Sequence, residues 1–194
     1  MADFEQAYKK TMGHEGYYSN DPVDAGGETW KGIARNFHGS WDGWIIIDAA
    51  KSEPNFPGSL KDNEELEEKV QDFYKEEFWD RFLGDQIPKQ QIGEEMFDTA
   101  VNTGVERAVK FLQTALNVLN RHEKLYNNLN VDGAAGHSTL KALKALLAIK
   151  GEEMVLYKVL NILQGYHYVT ITLKSESQER FMRGWLKRVD FIKD

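Results

Sequence analysis

Apolar side chains recur at helical spacing along most of this chain, and the period fails where glycine, asparagine, aspartate and proline crowd together. Residues from Asp3 to Met12 predict a short helix with Phe4, Ala7, Tyr8 and Met12 on one face, ended by Gly13. Between His14 and Gly32 the period collapses into turn-forming residues, the pattern of turns or a small hairpin. Trp30 to Phe37 predict a helical turn or two, followed by an irregular loop to Lys61 that holds Gly39, Gly43, Pro54, Pro57 and Gly58. Asp62 or Asn63 is then placed to cap a helix reaching Phe82, whose Leu66, Val70, Phe73, Tyr74 and Phe78 fit the helical period.

The second half reads as a series of helices divided by glycines. Ile92 to Thr103 forms one, and Gly104 separates it from another reaching Leu119, with Ala108, Phe111, Leu112, Ala115 and Leu119 on one side; the two are expected to pack antiparallel. Asp132-Gly133 and Gly136 mark a turn, Ser138 or Thr139 starts a helix to Ile149, and Gly151 stops it. Glu152 to Thr172 reads as one longer helix, although the β-branched run Val169 to Thr172 opposes its end. Ser177 is expected to cap a last helix carrying Phe181, Trp185 and Leu186. The expected fold is mainly α, with a small β-hairpin or turn region near the N-terminus.

Composition narrows the function. A chain of 194 residues with 41% hydrophobic and 28% charged residues has the make-up of a folded domain rather than a disordered segment. Its net charge of -7 disfavours a nucleic-acid partner held through phosphates. With no cysteine, disulfides, thiolate metal sites and thiol nucleophiles are excluded. The five histidines show no metal-binding spacing, and Asp132 to Gly136 lacks the alternating acids of a calcium loop, so neither metal nor cofactor is expected. Lysines and glutamates interrupt the apolar stretch from Leu140 to Leu163, so no membrane-spanning segment is expected. The first residues lack the basic and apolar regions of a secretory signal, so the expectation is synthesis in the cytoplasm.

The chemistry concentrates between His14 and Ile33, where Glu15 comes after a helix and leads straight into a polar, glycine-rich turn. Glycoside hydrolysis needs one carboxylic acid to protonate the leaving oxygen and commonly a second carboxylate for water or the developing cation. Asp21 and Asp24 are the neighbouring candidates, and both also suit turn roles on either side of Pro22. Tyr17, Tyr18 and Trp30 lie close enough in sequence to raise the pKa of the acid or to stack on sugar rings. Thr29 is placed to N-cap a helix at Trp30.

Glu15-Gly16-Tyr17-Tyr18, Asn20-Asp21-Pro22, Asp24, Gly26-Gly27, Thr29 and Gly32-Ile33 together resemble the N-terminal signature of glycoside hydrolase family 108, the N-acetylmuramidases once called secretion activator proteins. The usual Glu-Gly-Gly-Tyr of that family has tyrosine in place of its second glycine here. The segment is also similar to the Glu, Asp, Thr arrangement of phage-type lysozymes: Glu15 and Asp24 keep its spacing, and Thr29 comes one residue early. Phe97 to Gly104 resembles the helix that lines that family's cleft. Ala108 to Gln113, Asp132 to Gly136, Thr139-Leu140 and Phe181 to Val189 resemble a predicted peptidoglycan-binding domain.

These resemblances imply a lysozyme-like helical fold, with a catalytic segment at residues 1–95 and a peptidoglycan-binding segment at 96–194 packed as one unit. They imply cleavage of the β-1,4 bond between N-acetylmuramic acid and N-acetylglucosamine. Glu15 is the implied general acid, Asp24 the second carboxylate with Asp21 its rival, and Thr29 an assistant. Tyr17, Tyr18, Asp21, Trp30 and Asn102 are the substrate-binding candidates, Asn102 equally suited to capping or bridging helices. The implied partner is the glycan strand of peptidoglycan, reached after export or release on lysis. A lytic transglycosylase and a non-catalytic wall-binding or secretion-accessory protein are the alternatives.

Overall fold

The computed structural model of the chain describes residues 1–12, 17–21 and 24–189. Among them run eight α-helices and one three-stranded antiparallel sheet, so the mainly α expectation holds and the strands are confined to residues 18–34. The chain divides into two compact units, Tyr8–Glu77 and Met1–Ala7 with Phe78–Asp194, and the first boundary falls inside helix α1 (Phe4–Met12).

In the Tyr8–Glu77 unit the sheet is built from β1 (Tyr18–Asn20), β2 (Glu28–Trp30) and β3 (Ile33–Ala34), in that order. The helical turns expected from Trp30 to Phe37 are therefore corrected: β2 and β3 form a hairpin with Trp30 opposite Ile33. Its two-residue loop is Lys31-Gly32, with φ of 44° and 83°, and positive φ at both central positions suits the twist of the flanking strands. Gly32 is required a second time by packing. A Cβ there would lie 2.6 Å from the Tyr74 hydroxyl, which donates to the Lys31 carbonyl at 2.7 Å.

The loop expected up to Lys61 contains a helix, α2 (Gly43–Ala50), which buries Trp44, Ile47 and Ala50 and leaves Ile45 exposed. Four apolar residues in succession, Trp44 to Ile47, hide its amphipathic period from a sequence reading. Helix α3 (Glu64–Tyr74) begins as expected at Asn63, whose Oδ1 accepts from Leu66 N at 2.8 Å. It buries Leu66, Val70 and Tyr74, packs against α2, and runs on through a wider π-helical turn at Lys75–Trp79. Trp41 ties into the same core, donating its indole N–H to Lys69 O at 3.2 Å.

The second unit is a helical assembly around α4 (Gln90–Thr103). This helix packs on α5 (Val105–Val118) and α7 (Glu152–Lys174), and α5 also meets α6 (His137–Leu147). Gly104 and Gly151, with φ of 89° and 90°, stand at the helix junctions assigned to them from sequence. Phe4 docks edge-on against Trp79 and Phe97, with ring centroids 5.8 and 5.7 Å away, and Ala2 N donates to Ile87 O.

Two amide side chains of α5, Gln113 and Asn117, sew the stretch from Leu119 to Gly136 to that helix, and a third, Asn120, braces the stretch from within. Gln113 donates to Asp132 Oδ1 at 2.8 Å and accepts from Gly133 N, Asn117 exchanges two bonds with the backbone of Leu129, and Asn120 does the same with Tyr126. Arg121, His122 and Glu123 in this stretch all have left-handed φ, from 52° to 60°. The last helix, α8 (Glu179–Trp185), starts later than expected, because a 3-10 turn at Glu176–Gln178 comes after Ser175. Trp185 stacks on Tyr168 at 5.2 Å, and Arg188 bonds Asp98 of α4 at 2.8 Å.

Candidate active site

The expected proton donor Glu15, like His14, lies outside the described residues. Tyr17, the three strands and the turn that carries Asp24 come directly after it in the chain and are described. Lys31 N donates to Tyr17 O at 2.8 Å, which extends the β1–β2 pairing beyond Tyr18 opposite Trp30 and Asn20 opposite Glu28. The turn is shaped by Asp24 itself. Its backbone N–H donates to Asp21 O, its carbonyl accepts from Gly27 N, and its Oδ1 accepts from Gly26 N at 2.9 Å.

Gly26 brings two of the candidates together. A Cβ built on it would lie 3.5 Å from Asp24 Oδ1, 3.7 Å from Thr29 Oγ1 and 2.9 Å from the Ala34 methyl, so the carboxylate and the hydroxyl close in on the same glycine. Thr29 is in a strand and caps no helix; its hydroxyl donates to Gly27 O at 3.1 Å. Asn36 locks the turn from the other side, donating to Ala25 O at 3.0 Å. Asp21 and Asp24 are both exposed.

The aromatic candidates separate by burial. Tyr17 is 46% exposed, and the Lys31 ammonium lies over its ring at 4.9 Å. Tyr18 is half-buried, edge-on to Phe56 at 4.9 Å, and donates its hydroxyl to Glu28 Oε1 at 3.0 Å. Burial and that bond to Glu28 push the phenol pKa up, so it stays a hydrogen-bond donor through the working range of an enzyme. The expectation for Trp30 is corrected. At 2% exposure its ring offers no face to a sugar, and it backs Tyr17 and Tyr18 with centroids 6.4 and 6.3 Å away.

Asn102 belongs to the other packing unit. Its amide is taken up within its own helix, donating to Asp98 O at 2.7 Å.

Sequence reasoning passed over Glu28, which stands between the glycines and Thr29 and whose side chain is 9% exposed. Strand alternation turns it to the face opposite Thr29, toward Arg35 Nε at 2.7 Å and Lys51 Nζ at 2.9 Å. Arg35 also grips Asp48 through both terminal nitrogens, at 3.0 and 2.7 Å, and lies over the Trp44 ring at 4.2 Å. Hydrogen bonds from Arg35 and Lys51 hold the Asp48 carboxyl below its usual range. This four-residue network clamps the hairpin to α2. Reading residues 28–34 as a hairpin would have exposed it, because the period of two puts Glu28 and Trp30 on one face.

Among the described residues, no group of three or more His, Asp or Glu side chains is placed to hold a metal ion, and no helix is long and apolar enough to cross a membrane.

Comparison with known proteins bears on the whole chain. No curated protein sequence matches it. Among solved structures, one described as the structure of Brucella abortus SagA superposes with a TM-score of 0.57 at 23% identity, covering 96% of this chain and 88% of that one, and so shares its fold. The model of the "Predicted Peptidoglycan domain" matches residues 107–190. The model "Glycosyl hydrolase 108" matches residues 8–104, half of the chain, and takes in the hairpin, the Asp24 turn and Gly26. On that match the chain belongs to the glycosyl hydrolase 108 family.

Proposed function

We propose that this chain is an N-acetylmuramidase that hydrolyses the β-1,4 bond between N-acetylmuramic acid and N-acetylglucosamine, with Glu15 as the general acid. The observation that carries the reading is the close approach of Asp24 and Thr29 across Gly26. Nine residues after the acid, in the turn between β1 and β2, a carboxylate and a hydroxyl flank the same glycine. A water on the exposed side of Asp24, within reach of Thr29, would have a base and a hydrogen-bond partner, as the water-activating half of an inverting glycosidase requires. Asp21 is the lesser choice, because its backbone carbonyl sets the turn while Asp24 supplies the carboxylate beside Thr29. Tyr17, exposed and next to the acid in sequence, is the sugar-stacking surface in this reading. The match over residues 107–190 supports peptidoglycan as the polymer, reached after export or on lysis.

The test is release of soluble glycan from purified sacculi by the wild type, Glu15→Gln and Asp24→Asn, with products examined by mass spectrometry. Glu15→Gln is expected to lose on the order of 10²–10⁴-fold in rate with its thermal transition unchanged. Asp24→Asn is expected to lose a large share of the rate, and products should carry hydrated reducing ends. Equal clearing by Glu15→Gln would remove Glu15 from the role. Anhydro ends would replace hydrolysis with transglycosylation, and binding without release at any pH would leave a non-catalytic wall-binding protein.

A further inference from the structure

Helix α7 is apolar on two opposite faces. One face, with Leu156, Tyr157, Leu160 and Tyr168, is buried in the core of its unit. The other carries Val155, Val159, Ile162, Tyr166, Val169 and Leu173, of which Tyr166 is 69% and Leu173 83% exposed and only Val159 is half-buried. At 100° per residue these six positions fall within roughly 80° of one another, centred opposite the core-facing side. Their spacing is 4-3-4-3-4, the seam of a two-stranded coiled coil, and no charged residue interrupts it. An amphipathic surface helix places its polar side outward, so an exposed apolar outer stripe about 27 Å long is unusual.

The stripe is complementary to itself. Reversing the helix about residue 164 maps Val155 onto Leu173, Val159 onto Val169 and Ile162 onto Tyr166, so each apolar position meets another with none left over. A two-fold interface requires this property, since the same patch must serve both sides. The exposed parts of the six side chains come to roughly 600 Å² per copy, against about 800 Å² per partner in a standard interface, with Leu163 and Thr170 alongside to extend it. Antiparallel pairing also brings each helix N-terminus to the other's C-terminus, which favours that orientation electrostatically.

We infer that the outer face of α7 binds the same face of a second copy of this chain in antiparallel register, making the protein a homodimer whose two-fold axis passes at the level of residue 164. The inference does not depend on the catalytic reading above.

Sedimentation velocity from about 1 µM to about 0.2 mM brackets the association of an interface of this size. The wild type should pass from monomer to dimer across that range. Ile162→Lys and Tyr166→Glu, each made singly because the two positions face each other across the proposed interface, should remain monomeric with unchanged thermal transitions. The absence of native cysteine allows a register test: Val155→Cys combined with Leu173→Cys, oxidised at high concentration, should yield 155-to-173 cross-links between copies by peptide mapping. A wild type that stays monomeric throughout, or dimers that survive both charge substitutions, would overturn the proposal. Cross-links joining 155 to 155 and 173 to 173 would overturn the antiparallel register. If monomers instead bound phosphatidylglycerol vesicles and Ile162→Lys abolished it, the face would belong to a lipid surface and the dimer would be rejected.

Discussion

At the scale of single residues, the decisive one in the hairpin is the one without a side chain. Gly26 has no positive φ to justify it, yet a methyl there would overlap the Ala34 methyl at 2.9 Å while resting in contact with Asp24 and Thr29. Gly26→Ala is therefore expected to cost about 1–3 kcal/mol of stability as an overpacked contact, read from thermal or urea unfolding. If the carboxylate and hydroxyl act together, sacculus clearing at a temperature where the variant is fully folded should fall by more than tenfold. A variant of normal activity would separate Gly26 from the chemistry. Asp24 and Thr29 were singled out through a resemblance in spacing, Thr29 one residue early, and the structure places both beside Gly26. Glu28 was not, because its role is set by strand register, and a carboxylate among glycines carries no mark of the two cations that close on it. Trp30 was misjudged for a related reason: closeness in sequence to an acid says nothing about which face of a strand a ring occupies.

At the scale of elements, the pairing of α5 with α7 places a titratable group where it will be felt. Arg107 Nη1 lies 2.8 Å from His167 Nε2, a geometry in which the arginine donates to a neutral imidazole. Burial, then Arg107 and Lys174, push the His167 pKa below its ordinary 6.5. The unfolded chain takes up the proton more readily than the folded one, so this contribution to stability is present above about pH 6.5 and is lost as pH falls through the lower folded value. The melting temperature should decline between pH 7 and pH 5, and His167→Gln should flatten that part of the curve. Helices with a clean period and a glycine or asparagine at their ends, such as α3 to α6, could be read from the sequence. Helix α2 could not, because an unbroken apolar run conceals which side faces in. The stretch from Leu119 to Gly136 was equally opaque: three consecutive non-glycine residues in left-handed geometry oppose local preference, and it is the amide side chains of Gln113 and Asn117 that hold the segment to α5, with Asn120 bonding within it.

At the scale of the whole molecule, the units of packing do not coincide with the divisions between sequence families. The peptidoglycan-domain match begins at residue 107, but α4, which precedes it, packs against both α5 and α7 and receives Arg188 through Asp98. A fragment of residues 105–194 lacks that helix and should fail to give a cooperative unfolding transition by circular dichroism, with exposed apolar surface detected by dye binding. Cooperative melting of that fragment would mean that α5 to α8 close a core without α4. The same arrangement constrains the chain as it is made. Ala2 and Phe4 find their lasting neighbours in Ile87, Trp79 and Phe97, so the first seven residues belong to a unit whose remainder leaves the ribosome only after the whole intervening segment Tyr8–Glu77. At roughly 5–20 residues per second that interval is on the order of ten seconds, during which the Phe4 ring must stay out of non-native partnerships and the inserted segment has time to fold first.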